Sequence, residues 1–427
     1  MNNTVSAVSE GGKFVVFYAA GDYKSHLWLA NTETGGLRRL TKSHNGRPLV
    51  KEGPKYIYSP FSGGSPEITP EGRYVAFSST YSNLVPGDRN KASDIFVYDR
   101  VKRRMALVSR NSDGGKGNNQ SWAPSISADG RYVAFESKAS NLTPNNADGV
   151  ADVYVKDRLT KTTTLVSTGP EGKGNKGSGL PGISDDGNRV SFLSKATNLV
   201  ENDTNNAIDA FVRDIALGTT TRVSVTSNGG QMKPFVYDES GGTYRDGAEE
   251  PDISGDGEVV VFSSHADNLI PEDDNANVDI FVHEIDTGAT ERVSEPTGGG
   301  DAYREKDKSC GNNGQCFGFI QSREPSITYD GRFVYFISAA PLMTDEDRDE
   351  TNFRSEEDAF VHDRLKDETV LVSRMPDGSV ARVSNFYSGT IAPTGGWVTY
   401  GADRQALDGP GGDQDPNSDV FLQKLPD

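Results

Sequence analysis

The stretch "SADGRYVAF", residues 127–135, joins a polar glycine turn to an apolar strand, and it decides the fold because variants of it recur along the chain. The variants are "SEGGKFVVF" at 9, "TPEGRYVAF" at 69, "SDDGNRVSF" at 184, "SGDGEVVVF" at 254, "TYDGRFVYF" at 328 and "APTGGWVTY" at 392. Their glycines are roughly 57 to 74 residues apart, more than the ~40 to 45 residues of a minimal four-stranded blade. We therefore expect a repeat protein whose extra residues lie in loops.

Each repeat predicts four short strands, for example "APSIS", "RYVAFES", "DVYVKD" and "TTTLVS" in the third unit. The second strand is apolar on both faces, as in a sheet that is packed on each side by a neighbour. Seven such units arranged radially make an all-β, seven-bladed β-propeller of four-stranded antiparallel blades. The chain ends at "FLQKLPD" without an obvious fourth strand, so we expect an incomplete, three-stranded last blade. The single domain 1–427 is divided into blades at 3–42, 64–110, 123–168, 181–225, 251–294, 325–374 and 388–427.

The segments "PSISADGRYVAFESKASNLTP" and "DVYVKDRLTKTTTLVS" resemble the WD40-like repeat of TolB-type bacterial propellers. The resemblance covers nearly the whole chain and implies the propeller fold. Propellers of this kind serve as scaffolds, binding modules and enzymes, so the resemblance does not decide the function. A ligand- or protein-binding scaffold is the first expectation. The alternative is an enzyme with its site at the channel mouth, as in polysaccharide lyases or propeller enzymes that alkylate aromatic compounds.

Composition restricts the function classes further. Hydrophobic residues make up 34% and charged residues 25% of the chain, the balance of a soluble globular protein. The net charge of −18 argues against a nucleic-acid partner, and no apolar run reaches the roughly 18 residues of a membrane span. The first residues lack the features of a signal peptide, so either the mature part alone is present or the protein is cytosolic. We expect an extracytoplasmic monomer.

An acidic, amide-rich loop precedes the third strand of most repeats, as in "NLVPGDRNKASDIFVYDR" at 83. Its core is an Asp or Asn, a second Asn or Asp two residues on, and an Asp four residues further. Oxygen ligands at such spacing suit calcium, but the same side chains cap turns through hydrogen bonds to backbone N–H groups without an ion. Both interpretations stay open. The candidate ligands are Asp88, Asn90 and Asp94; Asn146, Asp148 and Asp152; Asp203, Asn205 and Asp209; Asp273, Asn275 and Asp279; and Asp413, Asp415 and Asp419.

Propeller geometry places these acidic loops on the same rim as the connections between blades. The longest connections are 43–63, 227–250 and 295–324, and long loops in compact proteins are usually functional. We call this side the decorated rim and the opposite side the plain rim. We predict that the decorated rim binds a small molecule, a glycan or a protein. The alternative is that the polar and aromatic residues of its long loops pair with one another and brace those loops. The candidate ligand-binding residues are Trp122, Tyr244, Arg245, Glu250, Tyr303, Arg304, Glu324 and Tyr387.

The remaining reactive residues are few. Cys310 and Cys316 are the only cysteines and stand in one inserted loop, "CGNNGQC". A disulfide is favoured over a metal site, because no histidine or further cysteine lies in the insertion; two reduced thiols are the alternative. His283 and His362 occupy a variable position of the third strand, where we expect solvent-facing side chains.

Overall fold

The computed structural model describes residues 6–21, 24–50, 64–88, 90–144, 146, 148–239, 242–271, 273, 277–300, 321–340, 343–344, 357–374, 386–403 and 418–425. Within these ranges, side chains are described except at 20–21, 24–25, 235–239, 242–246, 387, 403 and 418–419.

The described chain forms seven antiparallel sheets around a central channel, and the last sheet has three strands where the others have four. This confirms the predicted propeller and its incomplete last blade. In chain order the blades are β1–β4 (Ser6–Val8, Phe14–Gly21, Lys24–Asn31, Gly36–Arg39), β5–β8 (Glu67–Ile68, Tyr74–Ser79, Asp94–Asp99, Arg104–Leu107), β9–β12 (Ser121–Ile126, Tyr132–Ser137, Asp152–Asp157, Thr163–Leu165), β15–β18 (Ser178–Ile183, Arg189–Ser194, Asp209–Asp214, Thr219–Arg222), β21–β24 (Ala248–Ile253, Val259–Ser264, Asp279–Glu284, Thr290–Arg292), β25–β28 (Ser322–Ile327, Phe333–Ser338, Asp358–Asp363, Glu368–Leu371) and β29–β31 (Phe386–Ile391, Trp397–Asp403, Ser418–Lys424). Two hairpins lie in connections between blades: β13 (Thr168–Gly169) with β14 (Gly172–Lys173), and β19 (Phe235–Glu239) with β20 (Gly242–Asp246).

Helical structure is minimal. Among the described residues it is limited to one 3-10 turn at Glu10–Gly12. No helical segment in this part of the chain has the length and apolar character needed to cross a lipid bilayer.

Aromatic pairs fill the space between blades. In six blades an aromatic residue of the second strand stacks on one of the third, with ring centroids 5.7 to 6.0 Å apart. Phe77 and Phe96 of the second blade are fully buried, as are their counterparts in the next four blades. Burial of each such ring contributes about 1.5 to 3 kcal/mol. The core is therefore divided into one layer per interface between blades.

The repeated glycine has a packing role in addition to its turn. Gly72, Gly130 and Gly187 have positive φ angles, and a Cβ on any of them would collide with the aromatic ring that begins the second strand of the preceding blade. Gly12 makes the same contact with Trp397, whose Cδ2 would lie 2.7 Å from an added Cβ. The seventh and first blades therefore meet through the same contact that joins the first four blades to one another.

The innermost strands of the third to seventh blades carry a β-bulge. In β9, Trp122 pairs with Glu136 and Ser125 with Ala134, so that two residues oppose one. Four of these bulges contain a residue with positive φ directly before a proline, which cannot donate to the ladder. These strands begin two or three residues earlier than predicted. The bulged residues with positive φ are Ala123, Leu180, Glu250 and Glu324.

Candidate functional site

The acidic loops lie against the connections between blades, as predicted for the decorated rim. Asn90 Nδ2 donates a hydrogen bond to Gly117 O at 3.0 Å, and Asn205 Nδ2 donates to Met232 O at 3.2 Å. Both carbonyls belong to the connection that follows the blade.

An aspartate begins the third strand in the second to sixth blades, where it is buried and braces its own blade. Ser109 Oγ donates to Asp94 Oδ1 at 2.5 Å and accepts the Ile95 N–H at 3.2 Å. The hydroxyl thus joins the start of the third strand to the residue beyond the fourth. In Asp94, Asp152, Asp209 and Asp279, the predicted ligands of this position whose side chains are described, one carboxylate oxygen is committed to this contact. The same Ser-to-Asp bond recurs from Ser167 to Asp152, Ser224 to Asp209, Ser294 to Asp279 and Ser373 to Asp358, at 2.6 to 2.9 Å.

The amide of the loop also turns toward this aspartate. Asn90 Nδ2 donates to Asp94 Oδ2 at 2.7 Å, and Asn146 Nδ2 donates to Asp152 Oδ2 at 2.8 Å. Asn90 Oδ1 accepts the Ala92 N–H at 3.1 Å. These hydrogen bonds hold the turn of the loop against the start of the third strand.

In the third blade a lysine lies among the predicted calcium ligands. Lys173 Nζ is 2.8 Å from Asp148 Oδ2 and 3.1 Å from Asp152 Oδ2. A fixed positive charge at this place repels a divalent cation. The donor set of this loop therefore does not fit calcium.

Arginines take the same role in the fourth and fifth blades. Arg222 Nη1 is 3.2 Å from Asp203 Oδ1 and 3.9 Å from Asp209 Oδ2. Arg292 Nη1 is 3.8 Å from Asp273 Oδ1 and 3.6 Å from Asp279 Oδ2. These two donor sets do not fit calcium either.

The loop of the second blade differs, because its two carboxyl groups face each other. Burial and the negative charge of Asp88 together raise the pKa of Asp94 to about 7. No Lys or Arg among the described residues forms an ion pair with Asp94. Among the loops whose side chains the structure describes, the oxygen-rich set Asp88, Asn90 and Asp94 is the one that fits a hard cation. Of the other predicted ligands, Asn275, Asp413 and Asp415 lie outside the described residues, and the side chain of Asp419 is not described.

The central channel contains a hollow of about 150 Å³ that is lined by the innermost strands of all seven blades. Glu67 Oε2 accepts the Ile126 N–H at 2.8 Å, and Asp252 Oδ2 accepts the Ile327 N–H at 3.2 Å. Each carboxyl group therefore joins its blade to the next one. Burial raises the pKa of Glu67 to about 8 and that of Asp252 to about 6.

One aliphatic residue from each blade also lines this hollow, one position closer to the plain rim than the polar residues. A polar ligand that enters from the decorated rim consequently meets an apolar collar. The collar consists of Val8, Ile68, Ile126, Ile183, Ile253, Ile327 and Ile391.

Charged residues meet where the fifth, sixth and seventh blades reach the decorated end of the channel. The Glu324 N–H donates to Glu250 Oε2 at 2.7 Å. Burial and the charge of Glu250 raise the pKa of the Glu324 carboxyl to about 7. Beside it, Arg323 forms a two-pronged pair with Glu357, at 3.1 and 2.7 Å, and donates to Phe386 O at 2.8 Å. This arrangement offers both hydrogen-bond donors and acceptors at neutral pH.

The third blade places an aromatic surface at the same level. Trp122 stands opposite Glu136 in the strand register, and Lys138 Nζ lies 5.7 Å from the centroid of the Trp122 ring. Burial raises the pKa of Glu136 to about 7, and the Leu180 N–H donates to its Oε2 at 3.3 Å. A Cβ at Gly179 would collide with this carboxyl group. The glycine therefore makes room for Glu136.

The structure brings together only some of the predicted binding residues. Glu250 and Glu324 are in contact and Trp122 lies on the bulge of the third blade. Tyr244 and Arg245 belong to β20, in a connection predicted as a plain loop; their side chains are not described, nor is that of Tyr387 in β29. Outside the described residues lie Tyr303, Arg304, Cys310 and Cys316.

The sequence interpretation missed several residues of this region. Glu67 and Asp252 directly follow a proline at a position where the third and sixth blades have serine, which was the available signal. Glu136 stands where the second strands of the second and of the fourth to seventh blades have small or aliphatic residues. Arg323 and Glu357 could not be linked, because their contact joins β25 to the residue that precedes β27.

The prediction for two histidines is wrong. His283 and His362 are each 4% exposed, and the Nδ1 of each is 2.9 Å from the Oγ1 of Thr290 or Thr369. The threonine in turn donates to the connection that precedes its blade, as Thr290 Oγ1 does to Val225 O at 2.5 Å. This connection covers the strand position that we expected to face solvent. Burial lowers the pKa of His283 to about 4.

Comparison with known proteins places this arrangement among propellers. No protein-family profile matches the chain, and no curated protein does. Solved structures with a similar fold include an oligogalacturonate lyase in complex with manganese, with 12% identity, a TM-score of 0.52, and coverage of 100% of this chain and 90% of that one. The β-propeller domain of the trilobed protease from Pyrococcus furiosus has 10% identity, a TM-score of 0.50, and coverage of 99% and 95%.

TolB from Acinetobacter baumannii is also similar, with 14% identity, a TM-score of 0.43 and coverage of 84% of this chain. This chain spans 63% of that TolB chain, less than two thirds of its length. At such identities the likeness to the lyase and to the protease propeller domain shows the fold alone.

Proposed function

We propose that the protein is a binding propeller that holds a small hydroxyl-rich ligand, such as a glycan fragment, at the decorated mouth of its channel. The observation that carries this proposal is the contact between Glu250 and Glu324, two bulged residues from neighbouring innermost strands. Bulges commonly re-aim side chains beside functional sites. Trp122 supplies an aromatic surface at the equivalent level of the third blade, and a mouth with rings and convergent polar groups is the usual ligand site.

The charge of the mouth narrows the ligand class. Glu136, Glu250, Glu324 and Glu357 outnumber the cationic groups there, and Glu249 beside them is exposed. An acidic polymer such as an oligogalacturonate would be repelled from such a surface. A carboxyl group with a pKa near 7 both donates and accepts hydrogen bonds around neutrality. These properties favour a neutral sugar or an amino sugar.

The binding prediction is tested with neutral and N-acetylated tetrasaccharides, and with trigalacturonate as the acidic counterpart. Isothermal titration should detect binding of a neutral or N-acetylated sugar, and Trp122→Ala should weaken it at least about tenfold, because truncation of a binding aromatic commonly costs more than 1 kcal/mol. Glu324→Gln should flatten the dependence of Kd on pH around 7. Tyr329→Ala is the matched control, since Tyr329 lines the same channel at the plain rim. Preferential binding of trigalacturonate, or equal losses in the Trp122 and Tyr329 variants, would contradict the proposal.

A second function, catalysis, is favoured by one observation. Glu136 and Glu324 both have pKa values near 7, the range in which a carboxyl group serves as a general acid or base. The assay for this alternative is the appearance of new reducing ends in the same sugar mixtures. If product forms, its loss in Glu324→Gln with binding retained would assign the protein as an enzyme.

We also propose that calcium binds the acidic loop of the second blade through Asp88, Asn90 and Asp94. An ion that binds only the folded state stabilises it by about 2.7 kcal/mol at a hundredfold excess over its Kd. Chelation should therefore lower the Tm of the wild type, and Asp88→Asn should remove that response. Asp203→Asn is the matched control, because Arg222 already neutralises that loop. An unchanged melt on chelation would leave the loops as turn formers.

A location outside the cytoplasm and a disulfide between Cys310 and Cys316 stay predictions. Their support is the resemblance to TolB-type repeats and the isolated pair of cysteines in one insertion.

A further inference from the structure

At the interface between the fifth and sixth blades, an arginine on the plain rim is neutralised by carboxylates of the preceding blade. Arg364 directly follows the third strand of the sixth blade. Its Nη2 is 2.8 Å from Glu284 Oε1, and its Nε is 2.5 Å from Glu291 Oε1. Both carboxylates belong to the fifth blade, so the cation and its counter-charges meet at an interface between blades.

The equivalent arginine between the first and second blades has no such counter-charges. Arg100 directly follows β7, as Arg364 follows β27. The strand registers place Asn31 where Glu284 stands, at the end of the third strand, and Arg38 where Glu291 stands, in the fourth. The two glutamates that neutralise Arg364 thus correspond to a neutral amide, Asn31, and to an additional cation, Arg38, in the first blade. The position of Arg38 holds Ala106, Thr164, Thr221 and Val370 in the other four-stranded blades.

Asn31, Arg38 and Arg100 line a surface hollow of about 280 Å³. Arg103 adds another guanidinium group to its lining. Arg100 is held in place: its guanidinium lies 4.2 Å from the centroid of the Phe14 ring, and its Nε donates to Gly72 O at 2.8 Å. Arg38 Nη1 donates to Tyr98 OH at 3.3 Å. None of the three arginines forms an ion pair with a residue that the structure describes.

The hollow also has an apolar side. Phe14 and Leu29 form part of its wall, and Leu37 beside them is 59% exposed. A protein with a net charge of −18 has carboxylates available to neutralise three arginines, yet the two positions that would do so here carry none. Guanidinium groups match carboxylate and phosphate oxygens with paired hydrogen bonds.

We infer that this hollow binds a small organic oxyanion, a carboxylate or a phosphate monoester, whose apolar group contacts Leu29 and Leu37. The ligand anion occupies the place that Glu284 and Glu291 occupy around Arg364. The volume is below that of most drug-sized pockets, which limits the apolar part to about one ring. The site lies on the plain rim and does not depend on the proposed glycan site.

The test compares phenyl phosphate, benzoate, inorganic phosphate and phenol as titrants at low ionic strength. Phenyl phosphate or benzoate should bind more tightly than phenol and inorganic phosphate. The double variant Asn31→Glu, Arg38→Glu rebuilds the acidic pair of the fifth blade around Arg100. It should weaken binding at least tenfold while keeping or raising the Tm. Arg103 lies on an exposed turn, and Arg103→Ala should weaken anion binding severalfold. This variant tests the inference if the double variant fails to fold.

The reciprocal variant Glu284→Asn, Glu291→Arg recreates the arrangement of the first two blades around Arg364. A second equivalent of anion bound by this variant supports the inference. The inference is overturned if no anion binds the wild type, or if binding persists in both the double variant and Arg103→Ala. Equal affinity for inorganic phosphate and phenyl phosphate would contradict the inferred contact between the apolar group of the ligand and Leu29 and Leu37.

Discussion

Replacement of Asp279 by alanine should lower the free energy of unfolding by about 3 to 5 kcal/mol, the cost of breaking a buried ion pair from one side. Asp279 is fully buried, accepts the hydroxyl of Ser294 at 2.6 Å and lies 3.6 Å from Arg292. The Arg292 side chain is only 3% exposed, so the substitution removes one of the counter-charges of a cation that water cannot reach. The measurement is equilibrium unfolding in denaturant.

The control for this substitution is Asp286→Ala. Asp286 belongs to the same blade, but its side chain is 76% exposed and lies 4.0 Å from Arg189. Exposed pairs of this kind contribute about 0 to 1 kcal/mol. If both variants lose equally little stability, the buried Asp279 and Arg292 pair does not hold the blade together. Loss of stability restored by Asp279→Asn would assign the effect to the hydroxyl contact and not to charge.

The propeller was predictable from the sequence because each repeat carries its own local signals. The glycine turn and the apolar second strand stand within nine residues of each other, so no long-range information was needed to count the blades. The three-stranded last blade followed from the missing fourth repeat strand. The innermost strands of the third to sixth blades were placed too late, because they were predicted to begin at a proline or at the residue before it. The bulge carries the strand across the proline instead.

The chemistry of the acidic loops was less predictable, because its cations come from other elements. Arg222 reaches Asp209 only because β17 pairs with β18 in a register that sets Phe211 opposite Arg222. Lys173 belongs to a hairpin outside the four-stranded blade. A loop motif read alone therefore cannot distinguish a metal site from a site that already contains a protein cation.

The channel mouth was predicted in part. Glu250 and Glu324 were recognised because each precedes a proline at the start of an innermost strand, and neighbouring blades place equivalent positions side by side. Glu136 was missed since its significance depends on Gly179 in the next blade. The arginine hollow was missed for a related reason. Asn31 and Arg38 are unremarkable until they are aligned by register with Glu284 and Glu291.

Replacement of Gly12 by alanine should destabilise the ring closure by about 2 to 5 kcal/mol. The first contribution is the positive φ of 69°, which costs an L-residue roughly 1 to 2 kcal/mol. The second is a clash, since the new Cβ would lie 2.7 Å from Trp397 Cδ2, and overpacking typically costs about 1 to 3 kcal/mol. Thermal and denaturant unfolding measure the loss.

Gly11→Ala separates these two contributions, because Gly11 has a similar φ of 64° but no heavy atom within 4 Å of an added Cβ. The Gly11→Ala variant should lose only the stability that the positive φ costs an L-residue, about 1 to 2 kcal/mol. The difference between the two variants then measures the contact that joins the first blade to the seventh. Trp397→Leu combined with Gly12→Ala should recover part of that difference, since a smaller side chain leaves space for the Cβ. Equal losses in Gly11→Ala and Gly12→Ala would show that the ring closes without this contact, through the apolar packing of Val8 and Val15 on Ala392.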